Sequence, residues 1–172
     1  MKSLWIFVIS TVFLLSCEKD TPVLTVESTE IYENSEGISD LELEVVNLIN
    51  EFRAAGAVCG SDEFLPAQNV YWNDILDKAS EMHADDMASN GFISHTGSDG
   101  STHTDRLLTV NYEYMFAGEN VARGPVTAAT AMQEFKDSQS HCKVMMNPDY
   151  VHVGIAKIGK YWVLNFAHPR KF

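Results

Sequence analysis

Three side chains in this sequence of 172 residues carry groups suited to ligand binding or acid–base chemistry. His95 lies within SHTGSDGS, Glu119 within FAGENVA and His141 within SQSHCKVMMNP. Histidine titrates near neutral pH, so an imidazole can accept or donate a proton under physiological conditions. Two neutral imidazoles and a carboxylate also form a donor set for Zn²⁺ or another divalent cation, with water in an open position. These residue types indicate metal binding or acid–base chemistry if the fold brings them together.

The motifs of common enzyme classes are missing from the sequence. It contains no His-Glu-x-x-His pair, no Gly-x-Ser-x-Gly elbow, no Gly-rich phosphate loop and no Cys-x-x-Cys pair. Several serines, Ser138 among them, lie near the histidines, so a Ser-His-Glu hydrolase can be drawn, but no oxyanion motif supports it. His83 lies on the apolar face of a predicted helix, and we interpret it as a hydrogen-bonded core residue.

The elements that must position these residues follow from apolar periodicity and capping signals. Leu41 to Phe52 repeats at helical spacing, and Asn73 and Thr127 are good N-caps for two further helices. Apolar residues alternate before Gly159-Lys160, which predicts a hairpin turn of the Gly-first type. We expect a short helix around residues 104–109, a loop over 57–71 and an irregular or partly extended segment over 112–122. These pieces indicate an α+β layered domain.

The first residues have the features of an export signal. Met1-Lys2 gives a positive start, and Leu4 to Leu15 is a continuous apolar run that is too short to span a bilayer. The run ends in Leu-Leu-Ser-Cys, which resembles a bacterial lipobox with Cys17 as the lipidated residue. We therefore predict a lipoprotein signal peptide over 1–16. The alternative is ordinary secretion with an incidental cysteine.

An acidic segment separates the predicted anchor from the predicted domain. Glu18 to Asp40 contains seven acidic residues and one lysine, with no sustained apolar period, which is typical of a solvated tether. The expected organisation is a tether over 17–40 and one domain over 41–172. The protein would then be an exported, membrane-anchored lipoprotein of the bacterial cell envelope, either periplasmic or at the cell surface.

Charge and cysteine count narrow the function classes further. The formal net charge is −12, and it becomes −13 without residues 1–16, which hold one lysine and no acid. Such a surface repels phosphate backbones, so nucleic acid is not expected as a partner. Removing Cys17 from the three cysteines leaves Cys59 and Cys142, an even pair in a compartment that permits disulfides. Two separate buried thiols are the alternative.

Four blocks of the sequence resemble, in order, bacterial members of the CAP superfamily of cysteine-rich secretory proteins, antigen 5 and plant pathogenesis-related proteins. The blocks are WNDILDKASEMHADDMASNG, NGFISHTGSDGSTHTDRL, NYEYMFAGENVARG and FKDSQSHCKVMMNPDYVHVGIAKIGKYWVLNFAH. The resemblance covers 41–172. It implies a three-layer α-β-α sandwich with a central antiparallel sheet. Apolar periodicity predicts the helices and strands but not this order of the layers.

The resemblance also groups the candidate residues. It implies a cleft that holds His95, Glu119 and His141, with Ser138 at the position where many animal members have a glutamate. Asp137 or Glu134 is an alternative source of that carboxylate. Similar bacterial sequences pair an early loop cysteine with one directly after the cleft histidine, which matches Cys59 and Cys142 and suggests that the bridge steadies His141.

The function expected from these features is a non-enzymatic binding module. Its ligand is expected to be a divalent metal such as Zn²⁺, a small molecule, or an envelope lipid, glycan or protein. The membrane is expected as a further partner, which the protein contacts through the lipid anchor at Cys17. Two alternatives stay open: a metal-dependent or Ser/His-dependent hydrolase that uses the same cleft, and a purely structural domain in which the three side chains only fix the loops.

Overall fold

The computed structural model describes residues 37–170. The predicted signal peptide, the lipidation at Cys17 and most of the predicted tether lie outside these residues. Within the described residues, five helices and six strands follow one another: α1 Asp40–Ala55, β1 Ala57–Cys59, β2 Asp62–Phe64, β3 Tyr71–Trp72, α2 Asp74–Asn90, α3 His103–Thr109, β4 Tyr114–Arg123, α4 Ala128–Asp137, α5 Gln139–Met146, β5 His152–Ile158 and β6 Tyr161–Pro169.

Four strands form the central sheet, in the order β3-β5-β6-β4. The strand β6 pairs antiparallel with β5 on one side and with β4 on the other. The two-residue strand β3 pairs parallel with β5, so the predicted antiparallel sheet has one short parallel strand at its edge. The opposite edge is β4, which carries Glu119.

The sheet is covered by helices on both faces, which confirms the α-β-α sandwich. Successive side chains of a strand point to opposite faces. Accordingly Trp162, Leu164 and Phe166 pack with α1, α4 and α5, whereas Val163 and Ala167 pack with α2 and α3. Because both faces are covered, β6 is buried along almost its whole length, and its sequence shows no polar alternation.

The predicted caps hold the main helices α2 and α4. The Asn73 side chain accepts hydrogen bonds from the amides of Ile75 and Leu76, and Gly91 ends α2 in the left-handed conformation. The Thr127 hydroxyl accepts from the amide of Thr130 at the start of α4. Capping therefore predicted the start of α2 and of α4 correctly.

Three segments differ from expectation. The segment 57–71 is not a simple loop: β1 and β2 form a small hairpin through the turn Gly60-Ser61, in which Gly60 has φ +67°. The segment after residue 112 contains the ten-residue strand β4. The helix α5 was not predicted as a separate element, since it has only eight residues and starts without a side-chain cap hydrogen bond.

Candidate functional site

The candidate site is built around three consecutive residues of the edge strand β4. Gly118 lies so close to the Tyr150 hydroxyl that a Cβ there would be 2.5 Å from its oxygen, so this position accepts only glycine without a shift. Glu119 and Asn120 follow, and their side chains point to opposite faces of the sheet. Glu119 thus faces the layer of α2 and α3, and Asn120 faces the layer that contains α5.

Glu119 is a buried carboxylate with both oxygens engaged. Nδ1 of His95 lies 2.9 Å from Oε1, and Nη2 of Arg106 donates to Oε2 at 2.7 Å. The side chains of Glu119 and Arg106 are 1% and 4% exposed, whereas that of His95 is 55% exposed. Glu119 therefore connects a buried cation to a histidine at the protein surface.

The charges of this group shift the pKa values of its members. Burial alone would raise the pKa of Glu119, but the hydrogen bond from His95 and the charge of Arg106 outweigh it and lower that pKa. The hydrogen bond to Glu119 raises the pKa of the His95 imidazole above its usual value. Glu119 engages Nδ1, so Nε2 is the nitrogen of this half-exposed ring that Glu119 leaves available.

Asn120 holds the other wall of the cleft. Its Nδ2 donates to the backbone carbonyl of His141 at 3.1 Å, and Asn120 itself is fully buried. The His141 ring is half-buried and packs edge-on against Phe135, with ring centroids 5.2 Å apart. Burial lowers the pKa of His141, and the nearby charge of His95 lowers it further. Of the two imidazoles, only that of His95 is hydrogen-bonded to Glu119 in the described part of the chain.

The β1–β2 hairpin is bound to α5, the helix that carries His141. A disulfide joins Cys59 to Cys142, with Cα atoms 5.5 Å apart, which confirms the predicted pairing. Asp62 forms an ion pair with Lys143, and Gly60 packs against the side chain of Gln139 so closely that a Cβ there would collide with it. The hairpin thus fixes α5 by a covalent, an ionic and a packing contact.

The contacts of Glu119 bear on the predicted metal set of His95, His141 and Glu119. Both oxygens of Glu119 are already bound by His95 and Arg106, so this carboxylate orients an imidazole in the way that outer-shell groups do in metal sites. Within residues 37–170, no three His, Cys, Asp or Glu side chains are grouped so that they could hold a metal ion.

The fourth predicted position, Ser138, lies where α4 ends and α5 begins. Its hydroxyl is 3.2 Å from that of Ser140. Asp137 accepts from Gln133 at 2.8 Å, and Glu134 is exposed. None of the hydrogen bonds found for these residues reaches His95 or His141, so the structure does not bring a serine nucleophile to either imidazole.

Sequence reasoning missed Arg106 and Asn120. Arg106 is the buried counter-charge of Glu119, and the charges of Glu119, Arg106 and His95 all influence the pKa of His103, which burial lowers. A buried carboxylate in an apolar strand requires a cation, so the sequence signalled that a partner exists but not which one. His83 was predicted correctly as a core residue: it is fully buried, and its Nε2 lies 2.7 Å from the carbonyl oxygen of Ser94.

Comparison with known sequences gives one family match and two relatives with partial coverage. The model of the cysteine-rich secretory protein family matches residues 46–166. The chain is 30% identical over 95 residues to the uncharacterized membrane protein YlbC of Bacillus subtilis, and 25% identical over 96 residues to the uncharacterized protein YkwD of the same species. Each match covers 55% of this chain but only 28% and 37% of the relatives, so the chain spans about a third of their length.

Solved structures show the same fold. An extracellular protein containing a SCP domain from Bacillus anthracis superposes with a TM-score of 0.66 at 23% identity, over 73% of this chain and 39% of that one. An outer surface protein from Borrelia burgdorferi superposes with a TM-score of 0.64 at 20% identity, over 74% and 92% of the two chains. At these identities the likeness concerns the architecture.

Proposed function

Because the chain belongs to the cysteine-rich secretory protein family, whose model matches residues 46–166, we propose that it is an exported, lipid-anchored binding module of the cell envelope. The ligand is bound in the cleft at the edge strand β4, between His95 and His141. The proposal extends the fold and family assignment to a binding role, which has to be tested by experiment.

The observation that carries the proposal is the way in which Glu119 holds His95. The carboxylate fixes the ring through Nδ1 and leaves Nε2 available on a side chain that is 55% exposed. The half-buried His141 is held by the hydrogen bond from Asn120 to its backbone and by the disulfide on α5. Such pre-organised polar groups suit recognition, because little ordering remains to be done on binding.

A divalent metal such as Zn²⁺ is one ligand that this pair would accept. His95 and His141 would hold it through neutral imidazoles, and Glu119 would keep the His95 ring oriented without binding the ion. The metal would supply Lewis acidity to a bound water or to a ligand oxygen. A lipid, a glycan or a protein of the envelope is the alternative occupant.

Hydrolysis is the less favoured function for this cleft. The hydrogen bonds of Ser138 and of the serines around His95 go to other partners, and none goes to an imidazole nitrogen of His95 or His141. A serine hydrolase requires that contact between nucleophile and base.

The export part of the proposal depends on the apolar run Leu4 to Leu15 and on Cys17 in the sequence. None of the helices between residues 37 and 170 is long and apolar enough to cross a bilayer.

Calorimetric titration of Zn²⁺ into the metal-free full-length protein tests the cleft. We expect a one-to-one isotherm that is lost in both His95→Ala and His141→Ala. His168→Ala is the matched control, because this half-buried histidine packs against Phe116 rather than near the cleft, and it should bind as the wild type does.

A titration of the wild type without binding heat would exclude zinc as the ligand. A lipid, a glycan or a protein would then be the ligand class to test. Turnover of a peptide or ester library that disappears in His141→Ala would contradict the binding role and favour the hydrolase. Loss of thermal stability in both histidine variants, without any ligand effect, would favour the structural role.

A further inference from the structure

The outer edge of β5 is only partly covered by its neighbour. The strand β3 has two residues, and it pairs with His152 and Val153 alone, at the start of β5. Residues 154–158 pair with β6 on the inner side, but within the described part of the chain no strand lies beside them on the outer side. An open strand edge of this kind is a place where a further strand can add.

The hydrogen bonds of β5 show which of its groups face the open edge. The carbonyl of Val153 accepts from the amide of Asn73, just after β3. The amide of Ile155 points the same way, since it donates to Asp77 at 2.8 Å. Alternate residues of a strand direct their backbone groups to the same side, so Lys157 also faces outward. Among residues 37–170, no hydrogen bond is found for the amide and carbonyl of Lys157 or for the carbonyl of Ile155.

A groove of about 180 Å³ lies along this edge. It is lined by residues 155–158 of β5, by Ser39, Leu41 and Glu42 at the start of α1, and by Glu81 of α2. The open part of β5 is therefore reached through an accessible groove between α1 and α2.

The chain that precedes α1 enters the domain at this groove. Ser39 lines the groove and is also the N-cap of α1, so residues 17–38 arrive beside the open edge of β5. A segment that is tethered at its docking site has a high effective concentration there. The preceding segment is therefore favoured over a separate partner as the occupant of the edge.

Sequence selects the part of this segment that suits a strand. The stretch 27–36 has a glutamate at every third position, at 27, 30, 33 and 36. The groove already holds two carboxylates, Glu42 and Glu81, against the one ammonium of Lys157, so this stretch is disfavoured there. Val23-Leu24-Thr25-Val26 carries no charge and contains three β-branched residues, which favour strands.

We propose that residues 23–26 dock on the open edge of β5 as a fifth strand of the central sheet. Their backbone pairs with Ile155 and Lys157, and their alternate side chains lie towards α1 and towards α2. Docking shortens the tether: from Cys17 to residue 23 the chain reaches about 20 Å, against about 75 Å from Cys17 to Ser39. This inference does not depend on what the His95–His141 cleft binds.

Amide hydrogen exchange of the full-length protein, followed by NMR, tests the proposal at the Lys157 amide. We expect slow exchange in the wild type and exchange at least about tenfold faster in the double variant Leu24→Pro/Thr25→Pro. The two prolines remove two consecutive amides, so one of them is lost from the pairing in either register. Ile31→Pro/Tyr32→Pro makes the same change elsewhere in the segment and is the matched control, which should exchange as the wild type does.

Both double variants lie outside residues 37–170, so the other amide resonances of the domain serve as the check that it is folded. Fast exchange of the Lys157 amide in the wild type would overturn the proposal, as would an equal rate in the wild type and Leu24→Pro/Thr25→Pro. Protection that rises with protein concentration and survives these prolines would show that a second copy covers the edge instead. Protection lost in the control alone would assign the edge to residues 31–32.

Discussion

Glu119 and Asn120 are neighbours in β4, yet they hold opposite walls of the candidate cleft. Glu119 binds the ring of His95 on one face of the sheet, and Asn120 binds the backbone of His141 on the other. This is geometrically feasible because β4 is an edge strand, so both walls can approach the same free edge. A single peptide unit of β4 therefore joins the residue that binds the His95 ring to the residue that binds the His141 backbone.

Replacing Glu119 by Gln should uncouple His95 and destabilise the domain. The His95 pKa should fall towards its usual value, because the carboxylate that raises it is gone. Arg106 would remain buried without its counter-charge, at a cost of about 3 kcal/mol. NMR titration of the His95 ring and urea unfolding measure the two effects. Glu113→Gln, at an exposed glutamate, is the control and should change neither.

The same substitution has a predictable pH window. The raised pKa of His95 gives stability that is present below its unfolded pKa, about 6.5, and is lost as pH rises through the folded value. The lowered pKa of Glu119 gives stability that is present above about 4.5 and is lost as pH falls. The difference in unfolding free energy between wild type and Glu119→Gln should be largest between these values. An equal difference at pH 5.5 and pH 9 would contradict the role of the His95 pair.

Asp77 predicts a second pH effect, a loss of stability as pH rises above the usual pKa of an aspartate. This carboxyl accepts from the amide of Ile155 at 2.8 Å and from Nε1 of Trp72 at 3.2 Å, but burial raises its pKa from 3.8 to about 7. The folded protein then binds more protons than the unfolded chain between these values. Its stability should fall by up to about 4 kcal/mol as pH rises from about 4 to about 7.

Asp77→Asn should flatten that slope, and urea unfolding across the same pH range measures it. Asp74→Asn is the matched control, since Asp74 is an exposed residue of the same helix that pairs with Lys78 at the surface. If Asp77→Asn and the wild type show parallel pH profiles, Asp77 is ionised throughout and its raised pKa is wrong.

Removing the disulfide should loosen one wall of the cleft and leave the other intact. The bond between Cys59 and Cys142 spans 83 residues, and in the chain-entropy model its loss costs about 4.5 kcal/mol. In the double variant Cys59→Ala/Cys142→Ala, the midpoint of urea unfolding should move to a lower urea concentration by the amount that corresponds to this loss. The His141 ring resonances should change, because α5 loses its covalent link to the β1–β2 hairpin. The pKa of His95 should stay raised. A change at His95 with none at His141 would refute this division of the site.

The proposed anchor is tested in cells. Cys17→Ala should move the protein out of the membrane fraction and abolish incorporation of labelled fatty acid, because the thiol is the expected acceptor. Cys59→Ala removes a different cysteine and should stay with the membrane. Unchanged fractionation of Cys17→Ala would show that another segment anchors the chain.

The sequence predicted those parts of the fold in which local signals agree. In α2 and α4, apolar periodicity coincides with a capping residue, and the β5–β6 hairpin has alternation together with Gly159 at its turn. The segment Gln139–Met146 lacks a cap hydrogen bond, so α5 is held by tertiary contacts that no local pattern reports. The strands β1 and β2 are only three residues long, too short for a periodic signal.

The candidate site was predictable only through resemblance. His95, Glu119 and His141 were grouped by motif order, and the structure joins His95 to Glu119 by a hydrogen bond. The partner of Glu119 could not be predicted, because Arg106 reaches it across 13 residues and from a different layer. Arg106 occupies the second oxygen of this predicted metal ligand.

The position of β6 has a consequence for how the protein is made. This last described strand lies between β4 and β5, so the three long strands of the sheet cannot assemble before the chain has been synthesised as far as Pro169. A chain that leaves the cytoplasm in an unfolded state gains from this order, since premature folding would block translocation. If the chain is exported as proposed, the three long strands of the sheet can pair only after β6 has also crossed the membrane.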